Sequence, residues 1–68
     1  MDVQNLFIDE EQTALTALKR MDETAKKVLL VTQGNILKGI ITDGDIRRHL
    51  LKGGKLEERV SQFANYNP

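Results

Sequence analysis

The sequence predicts a small α/β (α+β) domain, ordered strand–helix–strand–strand–helix, with a small sheet packed on two helices. Three observations predict it. Apolar residues recur at helical spacing from Ala14 to Met21. Two β-branched apolar runs, residues 28–32 and 36–42, flank Gln33-Gly34-Asn35. A second amphipathic stretch follows Asp43-Gly44-Asp45 and stops at Gly53-Gly54.

The elements follow in order. Leu6-Phe7-Ile8 is an apolar run long enough for a minimal strand. Asp9-Glu10-Glu11 then places carboxylates where the positive end of a helix favours them. Ala14, Leu15, Ala17, Leu18 and Met21 share one face, with Lys19, Arg20, Asp22 and Glu23 opposite, so an amphipathic helix is expected over residues 11–24. Val28-Leu29-Leu30-Val31 is continuously apolar and reads as a buried strand. Gly34 and Asn35 tolerate the positive φ of a tight hairpin turn. Ile36-Leu37-Lys38-Gly39-Ile40-Ile41-Thr42 is the returning strand, and Gly39 marks a bend or a close backbone approach. The last helix carries Ile46, Leu50 and Leu51 on one side, and Gly53-Gly54 ends it as a C-cap glycine does. The expected core is Leu15, Leu18, Val28, Leu30, Ile40, Ile46 and Leu50, with both helices on one face of the sheet. Residues 1–54 form the folded unit, and residues 55–68 read as a polar linker anchored only by Leu56, Val60, Phe63 and Tyr66.

Composition narrows the function classes. A chain of 68 residues is at most one domain, and a domain of about 60 residues buries only ~60% of its unfolded surface. Such chains usually need a staple or a partner. There is no Cys for a disulfide, and one His, His49, rules against a structural zinc site. A homodimer about a two-fold axis is therefore expected. Ten basic and ten acidic residues balance, which is not the basic stripe of a nucleic-acid binder. The longest apolar run is too short to span a bilayer. The N-terminal residues lack the pattern of a signal peptide, and a cytoplasmic location is expected.

The informative stretch is Gly39-Ile40-Ile41-Thr42-Asp43-Gly44-Asp45-Ile46-Arg47-Arg48. Thr42 followed three residues later by Asp45 is the spacing of a capping box, in which each side chain satisfies the other's backbone N–H. The same atoms suit a ligand. A helix N-terminus presents free N–H groups to an anion, and an ionised carboxylate, a pure acceptor, can take both hydroxyls of a ribose. Asp43 and Asp45 alone provide too few oxygens for a calcium loop. His49 lies four residues after Asp45, an acid–base spacing, but no nucleophile accompanies it and no catalytic residue is expected.

The run GIITDGDIRR resembles the central motif of CBS domains, named after cystathionine β-synthase. The resemblance extends from about Leu6 to Leu51. TDGDIRR, with the tail LEERVSQFANYNP, is most similar to the CBS segments of bacterial sugar-phosphate nucleotidyltransferases, and arabinose-5-phosphate isomerases carry a close variant. The resemblance implies a single CBS motif, half of a paired module in a larger protein. It implies pairing with a second CBS motif, and AMP, ADP, ATP or a nucleotide-sugar as regulatory ligand, with no resident cofactor. By resemblance, Asp45 holds the ribose diol, Thr42 contacts ribose or phosphate, Lys27 meets phosphate, and Ile41 and Ile8 line the base pocket. Read as bare residues, Lys26-Lys27 is equally a solvated pair, Ile8 and Ile41 are core positions, and Arg47 and Arg48 are either solvated or near a phosphate or partner carboxylate. The segment before the first helix lacks the proline common in ligand-binding members. Three functions compete: a regulatory sensor of a nucleotide or nucleotide-sugar, a ligand-free dimerisation module, and a segment shaping access to an attached active site. The chain itself is not expected to be an enzyme.

Overall fold

The parallel pairing of the first strand with the second sets the architecture. In a computed structural model, which describes residues 3–67, a 3-10 turn at Val3–Leu6 leads into β1 (Phe7–Asp9), α1 (Ala14–Thr24), β2 (Val28–Gln33), β3 (Ile36–Thr42) and α2 (Asp43–Leu51), with a second 3-10 turn at Val60–Gln62. The sheet order is β1-β2-β3. β1 runs parallel to β2, with Ile8 opposite Val31, and β2 runs antiparallel to β3, with Leu29 opposite Ile41. Parallel neighbours need a crossover, and α1 is that crossover.

The first helix begins three residues later than the spacing predicts. Asp9 folds the intervening chain into a turn: its Oδ1 accepts from Glu11 N at 2.9 Å, and its backbone O accepts from Gln12 N at 3.0 Å. Thr13 is the N-cap, its Oγ1 accepting from Thr16 N at 3.2 Å. α1 ends at Ala25, a non-glycine residue in the left-handed region at φ 58°. The hairpin forms as expected. Gly34, at φ 61°, supplies the positive φ at the first central position of a two-residue turn. The pairing register shifts after Val31 opposite Gly39, leaving Lys38 as the extra residue of a bulge.

The core is Ile8, Ala14, Ala17, Met21, Leu29, Val31, Ile41, Ile46 and Val60. Of the expected core residues, Ile46 is the one that belongs. Leu18 packs at its edge; Leu15, Val28 and Leu50 are exposed, and Leu30 and Ile40 are half-buried. The correction has one cause in each element. β2 is apolar at every position from Val28 to Val31, so its pattern does not reveal which parity faces inward, and a one-residue change flips the strand. In α1 the small side chains of Ala14 and Ala17 face the sheet and admit close approach, which turns the leucines to the flank. Both helices do lie on one face of the sheet. Alternation places Phe7, Leu30 and Ile40 on the other, where Phe7 pairs with Leu30 and Leu30 with Ile40.

Residues 56–65, within the segment expected to be a linker, pack against the fold. Val60 is fully buried, and Leu56, Phe63 and Ala64 pack on the core. The carbonyls of Glu58 and Leu56 accept from Ala14 N and Leu15 N at 2.9 and 3.0 Å, satisfying orphan donors of the first turn of α1. Asn65 pairs with Ile40 through two backbone hydrogen bonds of 2.8 and 2.9 Å. Gly39 permits that crossing, since a Cβ there would sit 2.3 Å from Asn65 O.

Candidate functional site

β3 passes into α2 without a loop, so the last strand residue is also the helix cap. Thr42 keeps extended backbone angles, φ −114° and ψ 165°. Its Oγ1 accepts from Asp45 N at 3.1 Å, and Asp45 Oδ2 accepts from Thr42 N at 2.9 Å. The capping box is complete. Asp43 N donates to Lys27 O at 3.1 Å, so the chain entering β2 closes the first turn of α2.

These bonds make Asp45 a fixed carboxylate. Its side chain is 18% exposed, and its second oxygen, Oδ1, accepts from Arg48 Nη2 at 2.7 Å. Thr42, one residue beyond the buried Ile41, shares with Ile40 the strand face that the helices do not cover. The site therefore stands at the end of the open sheet face.

Of the residues expected at a ligand site, the structure brings together Thr42, Asp45 and, through its backbone, Lys27. Lys27 is exposed and lines an open cleft of about 390 Å³ with Lys26, Leu18, Met21, Asp22, Ala25 and Asp43. Ile8 and Ile41 stand apart: at 1% and 0% exposure their side chains are sealed between sheet and helices, and they offer no ligand-facing wall here. An apolar groove of about 470 Å³ between the helices is lined by Leu18, Asp43, Ile46, Arg47, Leu50 and Leu51. Thr42 and Asp45 do not line it, so its volume is no guide to the site.

Contacts of Arg48, His49 and Tyr66 escaped the sequence reading. The Asp45–Arg48 pair had a visible signal, since residues three apart on a helix are neighbours. His49 had none, because its partners lie in the tail. It stacks on Phe63, with ring centroids 4.1 Å apart and planes 9° from parallel. Its Nε2 lies 3.4 Å from Glu58 Oε1 without forming a hydrogen bond among the described residues. The four-residue spacing of His49 to Asp45 has no counterpart in a hydrogen bond or ion pair among the described residues. At the far edge, Tyr66 Oη donates to Glu10 Oε1 at 2.8 Å. Partial burial first, then that hydrogen bond and the charges of Glu10, Glu11 and Asp9, push the phenol up to about 12.

Comparison with known proteins agrees with this geometry. The CBS domain family model matches residues 1–52. The chain belongs to the CBS domain family. An uncharacterised protein of Helicobacter pylori strain J99 is 50% identical over 40 residues, which cover 59% of this chain and 12% of that protein. The CBS domain thus spans a small part of the curated relatives it matches. A protein with CBS domains from Burkholderia ambifaria superposes with a TM-score of 0.82 at 26% identity, covering 87% of this chain and 45% of that one. A CBS domain protein from Pyrobaculum aerophilum, complexed with AMP, superposes with a TM-score of 0.78 at 16% identity, covering 90% of this chain and 49% of that one. At that identity the likeness shows the fold alone. No helix among the described residues is long and apolar enough to cross a membrane.

Proposed function

We propose that this CBS domain is a regulatory, non-catalytic module that pairs with a second CBS motif, most simply by homodimerisation. In this reading it binds an adenosine nucleotide or a related nucleotide or nucleotide-sugar and biases an attached enzyme. The similarity of TDGDIRR favours a sugar-phosphate nucleotidyltransferase as that enzyme, with arabinose-5-phosphate isomerase as the alternative. The single observation that carries the proposal is the pinned Asp45 carboxylate, held beside Thr42 at the end of a sheet face that one motif leaves uncovered. The AMP complex of the Pyrobaculum relative supports the ligand class. Asp45 reads the ribose diol, Thr42 the ribose or phosphate, and Lys27 a phosphate; Ile8 and Ile41 support the site from beneath as core. Residues 55–68 lead toward the second motif after packing on the first.

The test is calorimetric titration with AMP, ADP, ATP and nucleotide-sugars. Hydrogen bonds to a charged group contribute about 1.5–3 kcal/mol, and 1.4 kcal/mol is a factor of about ten. Asp45→Asn should therefore weaken binding at least roughly tenfold. It should leave the fold standing, because Asn also serves near a helix N-terminus. A second reading, a ligand-free dimerisation module, is favoured by one observation: both oxygens of Asp45 already have partners within the chain. Equal affinities of wild type and Asp45→Asn, with both well folded, would make that reading the better account.

A further inference from the structure

Within the nucleotide-sensing reading, on which this inference rests, we propose that Arg48 is a specificity-determining residue: it competes for the diol-reading oxygen of Asp45 and makes binding favour phosphorylated ribose ligands over bare nucleosides. Asp45 has two oxygens with different duties. Oδ2 is committed to Thr42 N at 2.9 Å, a bond that holds the start of α2. Oδ1 is the acceptor left for a ribose, and Arg48 Nη2 occupies it at 2.7 Å. A carboxylate oxygen has two lone pairs, so a diol whose two hydroxyls both donate to Oδ1 does so by displacing the guanidinium. The exchange is accessible, because the Arg48 side chain is 63% exposed and exposed ion pairs are weak.

What the displaced guanidinium meets next decides the preference. Gly44 leaves the first turn of α2 without a side chain, and both arginines lean over that gap. A Cβ at position 44 would lie 3.3 Å from Arg48 Nη1, 3.6 Å from Arg47 Nη2 and 3.6 Å from Thr42 Oγ1. A phosphate carried in with the ribose replaces the carboxylate that Arg48 has lost. It meets the fork geometry that guanidinium groups match to phosphate and the positive end of the helix. The opposing charge on this turn is Asp43, which lines the groove and cleft on the α1 side together with Ile46 and Lys27 respectively. A nucleoside offers Arg48 nothing in return and bears the whole loss of the ion pair.

The test uses the full chain as wild type, Arg48→Gln and Arg48→Lys, titrated with AMP and with adenosine. Wild type should prefer AMP by tenfold or more. Arg48→Gln should bind adenosine severalfold more tightly than wild type does, and its preference for AMP should fall to within about threefold. Arg48→Lys, which keeps the charge without the fork, should restore part of the preference. An unchanged ratio in Arg48→Gln, or an equal weakening of both ligands, overturns the proposal. A ligand-free measurement separates this from failure of the parent reading. The nitrogen-15 resonances of the Arg48 guanidinium should move on Asp45→Asn in the unliganded protein. No movement overturns the competition itself. Movement without binding of either ligand overturns the nucleotide reading and the inference with it.

Discussion

The two faces of the sheet are made of the same kinds of residue and have opposite fates. Toward the helices, Ile8, Leu29, Val31 and Ile41 are each at most 1% exposed. Away from them, Phe7, Leu30 and Ile40 form a cross-strand strip that stays half-buried. Hydrophobicity does not distinguish the faces; coverage does. The covered face holds the fold together. The open face, with Thr42 and Asp45 at its end, is where a second motif would complete a cleft.

Removing residues 55–68 is the severest test of that division, because it takes Val60 out of the covered side. It also strips the carbonyls of Leu56 and Glu58 from the first turn of α1 and Asn65 from the edge of β3. A small domain has a margin of about 5–15 kcal/mol at best. The shortened chain should lose its cooperative thermal transition, and a sharp transition near that of the full chain would show the tail to be a linker after all.

Neighbouring isoleucines give the next contrast. Ile41→Ala empties a fully buried site and should destabilise folding by about 2–5 kcal/mol. Ile40→Ala, one residue away on the open face, should cost about 1 kcal/mol or less in a urea titration run dilute enough that the chain is monomeric. Similar losses at both positions would erase the difference between the faces. Leu30→Arg puts a charge in the middle of the open strip. It should leave the circular dichroism of the domain intact and convert the proposed dimer into a monomer on sedimentation; dimers that survive the charge would move the pairing surface elsewhere.

The smallest effect lies at the rim. Tyr66 is the sole tyrosine and there is no tryptophan, so phenolate absorbance reports it directly. Its pKa is raised to about 12 from the usual 10.0. The neutral phenol is favoured by folding, so its contribution to stability is complete below pH 10 and is lost as pH rises toward about 12. Tyr66→Phe should remove that component of the alkaline stability loss. A phenol titrating near 10 in the folded chain would show that the Glu10 contact does not form.

Much of this was legible along the chain. The element order follows from apolar periods and from turn residues at Gly34 and Gly53. The cap at Thr42 and Asp45 is a local device whose three-residue spacing carries its whole geometry. The pairing of Asp45 with Arg48 is equally local and was open to the same reasoning.

Other features belong to the assembled fold. The inward parity of β2 depends on how closely α1 can approach, and Ala14 and Ala17 settle that only once helix and sheet meet. Ile8 and Ile41 are sealed in the core by the same packing. The tail is integral because its carbonyls reach orphan donors more than 40 residues earlier in the chain, with Glu58 meeting Ala14 and Leu56 meeting Leu15. His49 acquires its partners, Phe63 and Glu58, by that same closure. Spacing encodes contacts within a turn of helix or a hairpin, because covalent geometry fixes which neighbours meet. Contacts between distant segments are selected by mutual burial, which no single stretch of sequence expresses.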